Sequence, residues 1–420
     1  MNDGSAVAAV AQRTPSVKGA LASLSLAMLL SSLGTSIANV GLPSLTQAFS
    51  ASFQQVQWVV IAYLLAITTL IVSVGRLGDL VGRRRLLLWG IALFTLASAL
   101  CGLAPSLGLL IAARALQGLG AAVMMALTIA FVGDTVAKGK TGGAMGLLGT
   151  MSAIGTAMGP ALGGVLIGEF GWRSMFLVCV PLGLSTWLLA QRYLPGDGQA
   201  HNGRTSFDSL GTLLRALFRD TRLRGSLAMS LLVTSVMMTT LLVGPFYLSQ
   251  TLGLTTAEIG LVLSVGPLVA ALTGVPAGRI VDRCGAPGMT LAGLVGMAFG
   301  CLMLSVVPET YGIGGYLAPM VIVTLGYALF QTANNTAVML DVPPDQRGVV
   351  SGLLNLSRNL GLVTGASALG AVFALASASV DIGTAQPQAI ASGMRMTFLV
   401  ALGLIVVACL IAWRRQADAR

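Results

Sequence analysis

Residues 75–90 read GRLGDLVGRRRLLLWG. Apolar sequence leads up to this stretch for about twenty residues, one bilayer crossing, and resumes directly after it. A fainter copy, GRIVDRCGAP, begins at Gly278, 203 positions after Gly75. Four arginines and an aspartate between two apolar runs read as a short polar connection between membrane-crossing helices, and the second copy points to a duplicated chain. Composition agrees: 55% of the residues are hydrophobic and 9% charged. A water-exposed surface needs about 25% charged residues, so an ordinary soluble fold is excluded.

The hydropathy pattern gives twelve spans, at 19–41, 54–75, 86–104, 107–131, 144–168, 173–194, 225–250, 258–279, 288–308, 314–340, 348–377 and 392–413. The run after Lys18 is read as the first span, because it is long for a signal peptide and lacks a cleavage site. Twelve spans place both termini on one side. That side collects 20 of the 24 basic residues, and the opposite side keeps Arg173 and Arg395. Arg114 and Arg358 fall inside spans. The excess of Lys and Arg in short loops is therefore an orientation signal rather than a nucleic-acid footprint, and it puts both termini in the cytoplasm of a bacterial-type plasma membrane.

One long polar segment, 195–224, separates six spans from six. Its second part, FDSLGTLLRALFRDTRLRG, has the pattern of a basic amphipathic helix lying on the inner leaflet. The expected organisation is an all-α integral membrane protein of two six-helix bundles, 1–194 and 225–420, related by a pseudo-two-fold axis and joined by the 195–224 linker. The duplication recurs beyond the opening stretch. Asp134 pairs with Asp341 at an offset of 207, and Gly155 and Gly159 pair with Gly361 and Gly365 at 206. Repeats of this kind bury a substrate site between the halves near the bilayer midplane.

Several chemistries find no support. The five cysteines show no CxxC pair, and most lie in apolar runs, where free cysteine packs as a small hydrophobe. The one histidine, His201, lies in the polar linker. No GxxxxGK[ST] phosphate loop, nucleophile motif or intramembrane acidic pair occurs. The expectation is a protein that is not an enzyme and carries no cofactor and no metal.

Five further stretches carry a family resemblance. RALQGLGAA starts at Arg114 and GTAMGPALGG at Gly155; ANVGLPSLTQAF starts at Ala38, QWVVIAYLLA at Gln57 and WRSMFLVCVPLGL at Trp172. Together with GRLGDLVGRRR they resemble the major facilitator superfamily, and within it the drug:proton antiporters, densely over the first half and thinly over the second. The resemblance implies efflux of small amphiphilic organic compounds in exchange for protons. Two departures stand out. The similar branch usually has fourteen spans, and the 30 linker residues cannot hold two more of about 20 each. Such relatives often carry an acid in helix 1 where this chain has Gly34, which removes the usual seat of proton chemistry there.

The opening motif gives the gating candidates. Arg84 and Arg85 suit an anchoring role, but Asp79 and the glycines Gly75, Gly78 and Gly82 need another reason. A carboxylate on a short turn suits a helix N-terminus, where free N–H groups and the dipole favour negative charge. The resemblance implies that Asp79, oriented by Arg76 and Arg83, meets the start of helix 11 near Arg347 and Gly348. By the duplication, Asp282 with Arg279 does the same for helix 5, near Gly142 and Gly143. These are two breakable latches on the cytoplasmic side.

Inside the spans, Arg114 with Gln117 on its face and Gly118 beside it is either a tether to helix 1 carbonyls or a coupling charge beside a proton or substrate site. A bare charge at that depth costs at least about 2.5–3.5 kcal/mol. Gly155, Gly159, Gly163 and Gly164 let helix 5 approach its neighbours, and Pro160 bends it. The resemblance reads that bend as favouring exchange over uniport. Arg358 is either tethered to carbonyls or open to a cavity. Candidate substrate contacts are Asn39, Gln57, Tyr63, Tyr327, Gln331, Asn334, Asn335 and Arg358. None of the 14 acids lies in mid-span. A neutral to positive cavity follows, which disfavours dications and favours neutral or anionic compounds. The expected partners are a small organic substrate, protons and the lipid bilayer, with no nucleic acid and a monomeric chain. A metabolite importer or facilitator of the same fold is the alternative, and a non-transporting membrane sensor a more distant one.

Overall fold

A computed structural model describes residues 17–135, 141–196, 220–306, 309–340, 342, 347–377 and 386–417. Twelve helices among them are long and apolar enough to cross a membrane, and no strand occurs among the described residues. In the first half these are α1 (Val17–Val40), α2 (Phe53–Val81), α3 (Arg83–Leu103), α4 (Leu107–Thr135), α5 (Thr141–Phe170) and α6 (Ser174–Leu177 running into Cys179–Tyr193). In the second half they are α7 (Thr221–Phe246, ending in a π turn at Tyr247–Thr251), α8 (Thr256–Cys284), α9 (Ala286–Val306) and α10 (Gly312–Leu340). Then come α11 (Arg347–Thr364, a π turn at Gly365–Leu369, then Gly370–Ala376) and α12 (Pro387–Ala417). The amphipathic linker helix expected from the sequence falls on 197–219, outside the described residues.

Backbone chemistry repeats between the halves as closely as the letters do. α2 and α8 are each 29 residues long. Both start with a capping box. Ser52 Oγ accepts from the Gln55 N–H while the Ser52 N–H donates to Gln55 Oε1. Thr255 and Glu258 do the same at α8. Each box satisfies two backbone donors that a helix start leaves free. Both helices end at one glycine, Gly82 (φ +98°) and Gly285 (φ +86°), whose N–H donates back to Gly78 and Val281 carbonyls. Only a residue without Cβ adopts that φ at no steric cost.

These glycines correct the reading of the opening motif. The residues from Gly75 to Val81, Asp79 among them, are the last turns of α2 rather than a turn of their own, and Asp282 lies in the last turn of α8. Charged side chains do not end a helix; the positive φ of the following glycine does. The connection between α2 and α3 is Gly82 alone.

Small residues set the helix distances. A Cβ at Gly155, Gly159 or Gly163 would run into Leu29, Ser36 or Val40 of α1. The corresponding pair in α11, Gly361 and Gly365, presses on Leu231, Thr234 and Ser235 of α7. Gly90 faces Gly120 across α3 and α4, and Gly293 faces Gly326 across α9 and α10.

The halves meet at the membrane face opposite the two chain ends, here the distal face. Gly164 of α5 lies against Gly260 of α8, whose own missing Cβ would strike the Pro160 carbonyl. Gln57 of α2 lies against Gly370 of α11. Phe53 packs edge-on to Phe246 and Phe373, with ring centroids 5.0 and 5.4 Å away. Toward the terminal face α5 and α8 part, while the first part of α11 still touches α2. Gly149 of α5, Gly274 and Gly278 of α8 and Gly352 of α11 have nothing within 4 Å of a would-be Cβ. Ala271, Leu272, Gly274 and Pro276 point round α8 in different directions and all are exposed. The space between the halves therefore opens toward the terminal face.

A Cβ at Gly164 would lie 3.0 Å from the Gly260 Cα, with no flexible side chain to give way. Gly164→Ala is expected to cost about 1–3 kcal/mol and to lower the melting midpoint of detergent-purified protein. Gly403→Ala, where no atom lies within 4 Å, leaves it unchanged.

Candidate functional site

The strongest polar feature in the first half is built around Arg114. It sits seven residues into α4 and is fully buried. Its Nε donates to the Val59 carbonyl of α2 at 3.0 Å and its Nη1 to the Gly34 carbonyl of α1 at 3.1 Å. Nη1 also donates to Gln117 Oε1, and Gln117 Nε2 donates to Ser98 Oγ of α3 at 2.7 Å. The guanidinium lies 4.1 Å from the Tyr63 ring centroid, and the Tyr63 hydroxyl donates to the Ser31 carbonyl. One cation thus ties four helices together through carbonyls, an amide and an aromatic face. Gly34 is part of that fit. A Cβ there would lie 2.9 Å from the Tyr63 hydroxyl and 3.0 Å from Phe94. Gly118 brings α4 against the Tyr63 carbonyl in the same way. Arg114 thus makes the carbonyl bonds that a tether requires.

The remaining candidates divide by what they touch. Tyr63 is committed to Ser31 and Arg114. Asn334 of α10 is fully buried, and its Nδ2 donates to the Ser226 carbonyl and Ser230 Oγ of α7. Asn39 and Gln57 are buried too, and Asn39 Nδ2 donates to the Thr35 carbonyl of its own helix. The oxygens Asn39 Oδ1, Gln57 Oε1 and Asn334 Oδ1 have no hydrogen-bond partner among the described residues. Gln331 is half-buried and donates through Nε2 to Asn335 Oδ1 at 3.1 Å, leaving its own Oε1 unpartnered. Tyr327, Asn335 and Arg358 are half-buried. Buried acceptors without donors are costly and rare.

The gating candidates sit at the terminal face. Gly78 is buried against Leu127 of α4, and Arg83 is half-buried and engaged. Arg84 Nη2 donates to the Gln191 carbonyl of α6 at 2.6 Å, a contact within the half. Arg279 and Asp282 are exposed. The side chains of Gly75, Arg76, Asp79 and Arg347 lie outside the described set, as do the contacts of Gly142 and Gly143. In α5, Gly155, Gly159 and Gly163 face α1, while Pro160 and Gly164 face α8 of the other half.

Sequence reasoning missed the distal aromatic cluster of Phe53, Phe246 and Phe373. Three phenylalanines on three helices carry no local signal. The capping boxes at Ser52 and Thr255 were legible as S-x-x-Q and T-x-x-E.

With this geometry in place, the comparisons with known proteins become decisive. The sequence profile of the Major Facilitator Superfamily matches residues 24–366. The chain belongs to the Major Facilitator Superfamily. Its relatives include the riboflavin transporter RibZ of Clostridioides difficile (strain 630), 29% identical over 82% of this chain and 86% of that protein. The multidrug resistance protein Stp of Mycobacterium tuberculosis is 31% identical over 80% of this chain and 72% of its own length. Among solved structures, a bacterial homolog to the human lysosomal transporter Spinster superposes with a TM-score of 0.80 at 16% identity, covering 94% of this chain and 96% of that one. A D-xylose–proton symporter gives a TM-score of 0.78 at 16% identity, covering 94% and 97%. The protein is therefore a twelve-span Major Facilitator Superfamily transporter of small organic substrates and not an enzyme.

Arg114→Ala removes bonds to two carbonyls and an amide, whereas Gln117→Ala removes one amide and leaves the carbonyl bonds in place. Arg114→Ala is expected to lower the melting midpoint further, each lost buried bond costing about 1–3 kcal/mol. Midpoints at the wild-type value would contradict the tether.

Proposed function

We propose that this transporter exports small amphiphilic organic compounds across a bacterial cytoplasmic membrane by alternating access, in exchange for protons, as a monomer with both termini in the cytoplasm. The observation that carries the reading is the one-sided opening. The halves are packed through Gly164, Gly260 and Phe53 at the distal face and stand apart around Gly274 and Gly352 at the terminal face. The positive-inside distribution of Lys and Arg makes that open face cytoplasmic. Support for efflux comes from relatives named as a multidrug resistance protein and a multidrug efflux pump. Support for exchange comes from the glycine and proline run in α5, which bends a helix at the contact between halves. The riboflavin transporter among the relatives favours a second reading, in which the same machine carries a metabolite.

The latches complete the cycle. Asp79 at the end of α2 reaches the start of α11 when the cytoplasmic face closes, and Asp282 at the end of α8 reaches the start of α5. Asp282 is exposed here, as an open latch requires. Arg114 then serves as more than a tether if substrate or proton binding loosens one of its carbonyl bonds. Asn39, Gln57, Tyr327, Gln331 and Asn335 supply neutral polar contacts for the cargo.

Everted vesicles test this. An acid interior should drive accumulation of a fluorescent amphiphile by the wild type. Asp79→Asn should abolish it, and Asp282→Asn, lacking an arginine triplet beside it, should reduce it less. Accumulation that ignores the pH gradient would remove proton exchange, and equal or reversed effects of the two variants would remove the unequal latches.

A further inference from the structure

We propose that Arg358 is an anion-recognising residue of the transport cavity, so that the preferred cargo carries a carboxylate, sulfonate or phosphate group. This deepens the transport reading above and rests on it.

The position of Arg358 is fixed by its neighbours on α11. Ser357 Oγ donates to the Leu227 carbonyl of α7 at 2.6 Å, and Gly361 lies on Leu231 and Thr234 of α7. Thr364 and Ala368 line an apolar groove of about 180 Å³ with Val400 and Leu404 of α12. Those two faces look into the second half itself. Gly370 lies against Gln57 of the first half and Leu242 of α7. Arg358 precedes Gly370 by twelve positions, and the π turn at Gly365–Leu369 takes up one residue between them. The remaining eleven make about three turns at 3.6 residues each, so Arg358 stands on the side of α11 that carries Gly370, at the edge of the stripe of Ser357, Gly361 and Gly365 that packs on α7. It lies about 9 Å inside the span that begins at Gly352.

At that depth a cation normally has an acid or a set of carbonyls. Arg114 has its carbonyls. Arg358 is half-buried and has no hydrogen-bond or ion-pair partner among the described residues. Its guanidinium is not among the sealed and unpartnered atoms, so it is open rather than entombed. Asn355 and Asn359 flank it, both half-buried, and neither has a described side-chain partner. Gly352, at the start of the same span, has nothing within 4 Å of a would-be Cβ, so α11 is open on that side. Acids that would neutralise it are at helix ends. Glu169 closes α5, Asp220 caps α7, Glu258 opens α8 and Asp282 ends it. A planar fork of five donors, unpaired, inside the membrane and beside two amides, is suited to an oxyanion.

The test compares three dyes in everted vesicles under an acid-inside gradient: fluorescein as the anion, Nile red as the neutral compound and ethidium as the cation. Wild type should accumulate fluorescein over ethidium. Arg358→Gln should lower fluorescein accumulation about tenfold or more, the scale of a charge-assisted bond, while Nile red stays within twofold and Arg358→Lys recovers part of the loss. Equal loss of all three dyes, or unchanged fluorescein, would overturn the proposal. If no dye responds to the gradient, the proton-driven export reading fails, and the Arg358 assignment is decided separately by fluorescein polarisation with the purified protein. Affinity weakened about tenfold in Arg358→Gln, and weakened by salt in the wild type, supports it; equal affinity of the two proteins overturns it. Should Arg358→Gln fail to purify as folded protein, the wild-type preference for fluorescein over ethidium and its salt dependence decide.

Discussion

Helices inside a bilayer are not drawn together by the hydrophobic effect, because lipid is as apolar as leucine; they associate by close contact and by hydrogen bonds. The structure depends on that constraint. α5 shows it most plainly, with one face of glycines laid on α1 and another on α8. The first contact is internal to a half and the second joins the halves. Side-chain hydrogen bonds between helices tie each half internally, as at Ser32 and Ser152 or Asn334 and Ser230.

Much of the architecture was legible in the letters. Apolar runs gave the number of spans, and the offset near 203 residues between the two glycine-rich motifs gave the duplication. The structure sharpened this where charge had been taken for an interruption. Asp79 and Arg76 lie in a helix because their backbone N–H groups continue the α2 ladder up to Gly82. The candidate site was legible by residue type and not by role. Asn334 and Asn39 look alike in sequence, yet Asn334 Nδ2 donates across to the Ser226 carbonyl and Ser230 Oγ of α7, whereas Asn39 Nδ2 donates to the Thr35 carbonyl of its own helix. What separates them is the neighbouring helix, which no local pattern encodes. The phenylalanine cluster at the distal face was hidden for the same reason.

The two halves share a backbone and differ in electrostatics. The first keeps its intramembrane arginine in α4, sealed among carbonyls and an aromatic ring. The second carries one in α11, Arg358, half-buried and without a side-chain partner among the described residues. In the first half, Ser152 stands at the corresponding place in α5 and bonds to Ser32.

Gly82 and Gly285 carry a mechanical consequence. Each is the whole connection between two long helices, and each has its own backbone hydrogen bonded to both sides. The change of direction between α2 and α3, and between α8 and α9, is thus confined to one residue that only glycine fits, so a side chain introduced at Gly82 or Gly285 alters the angle of two membrane-crossing helices at once.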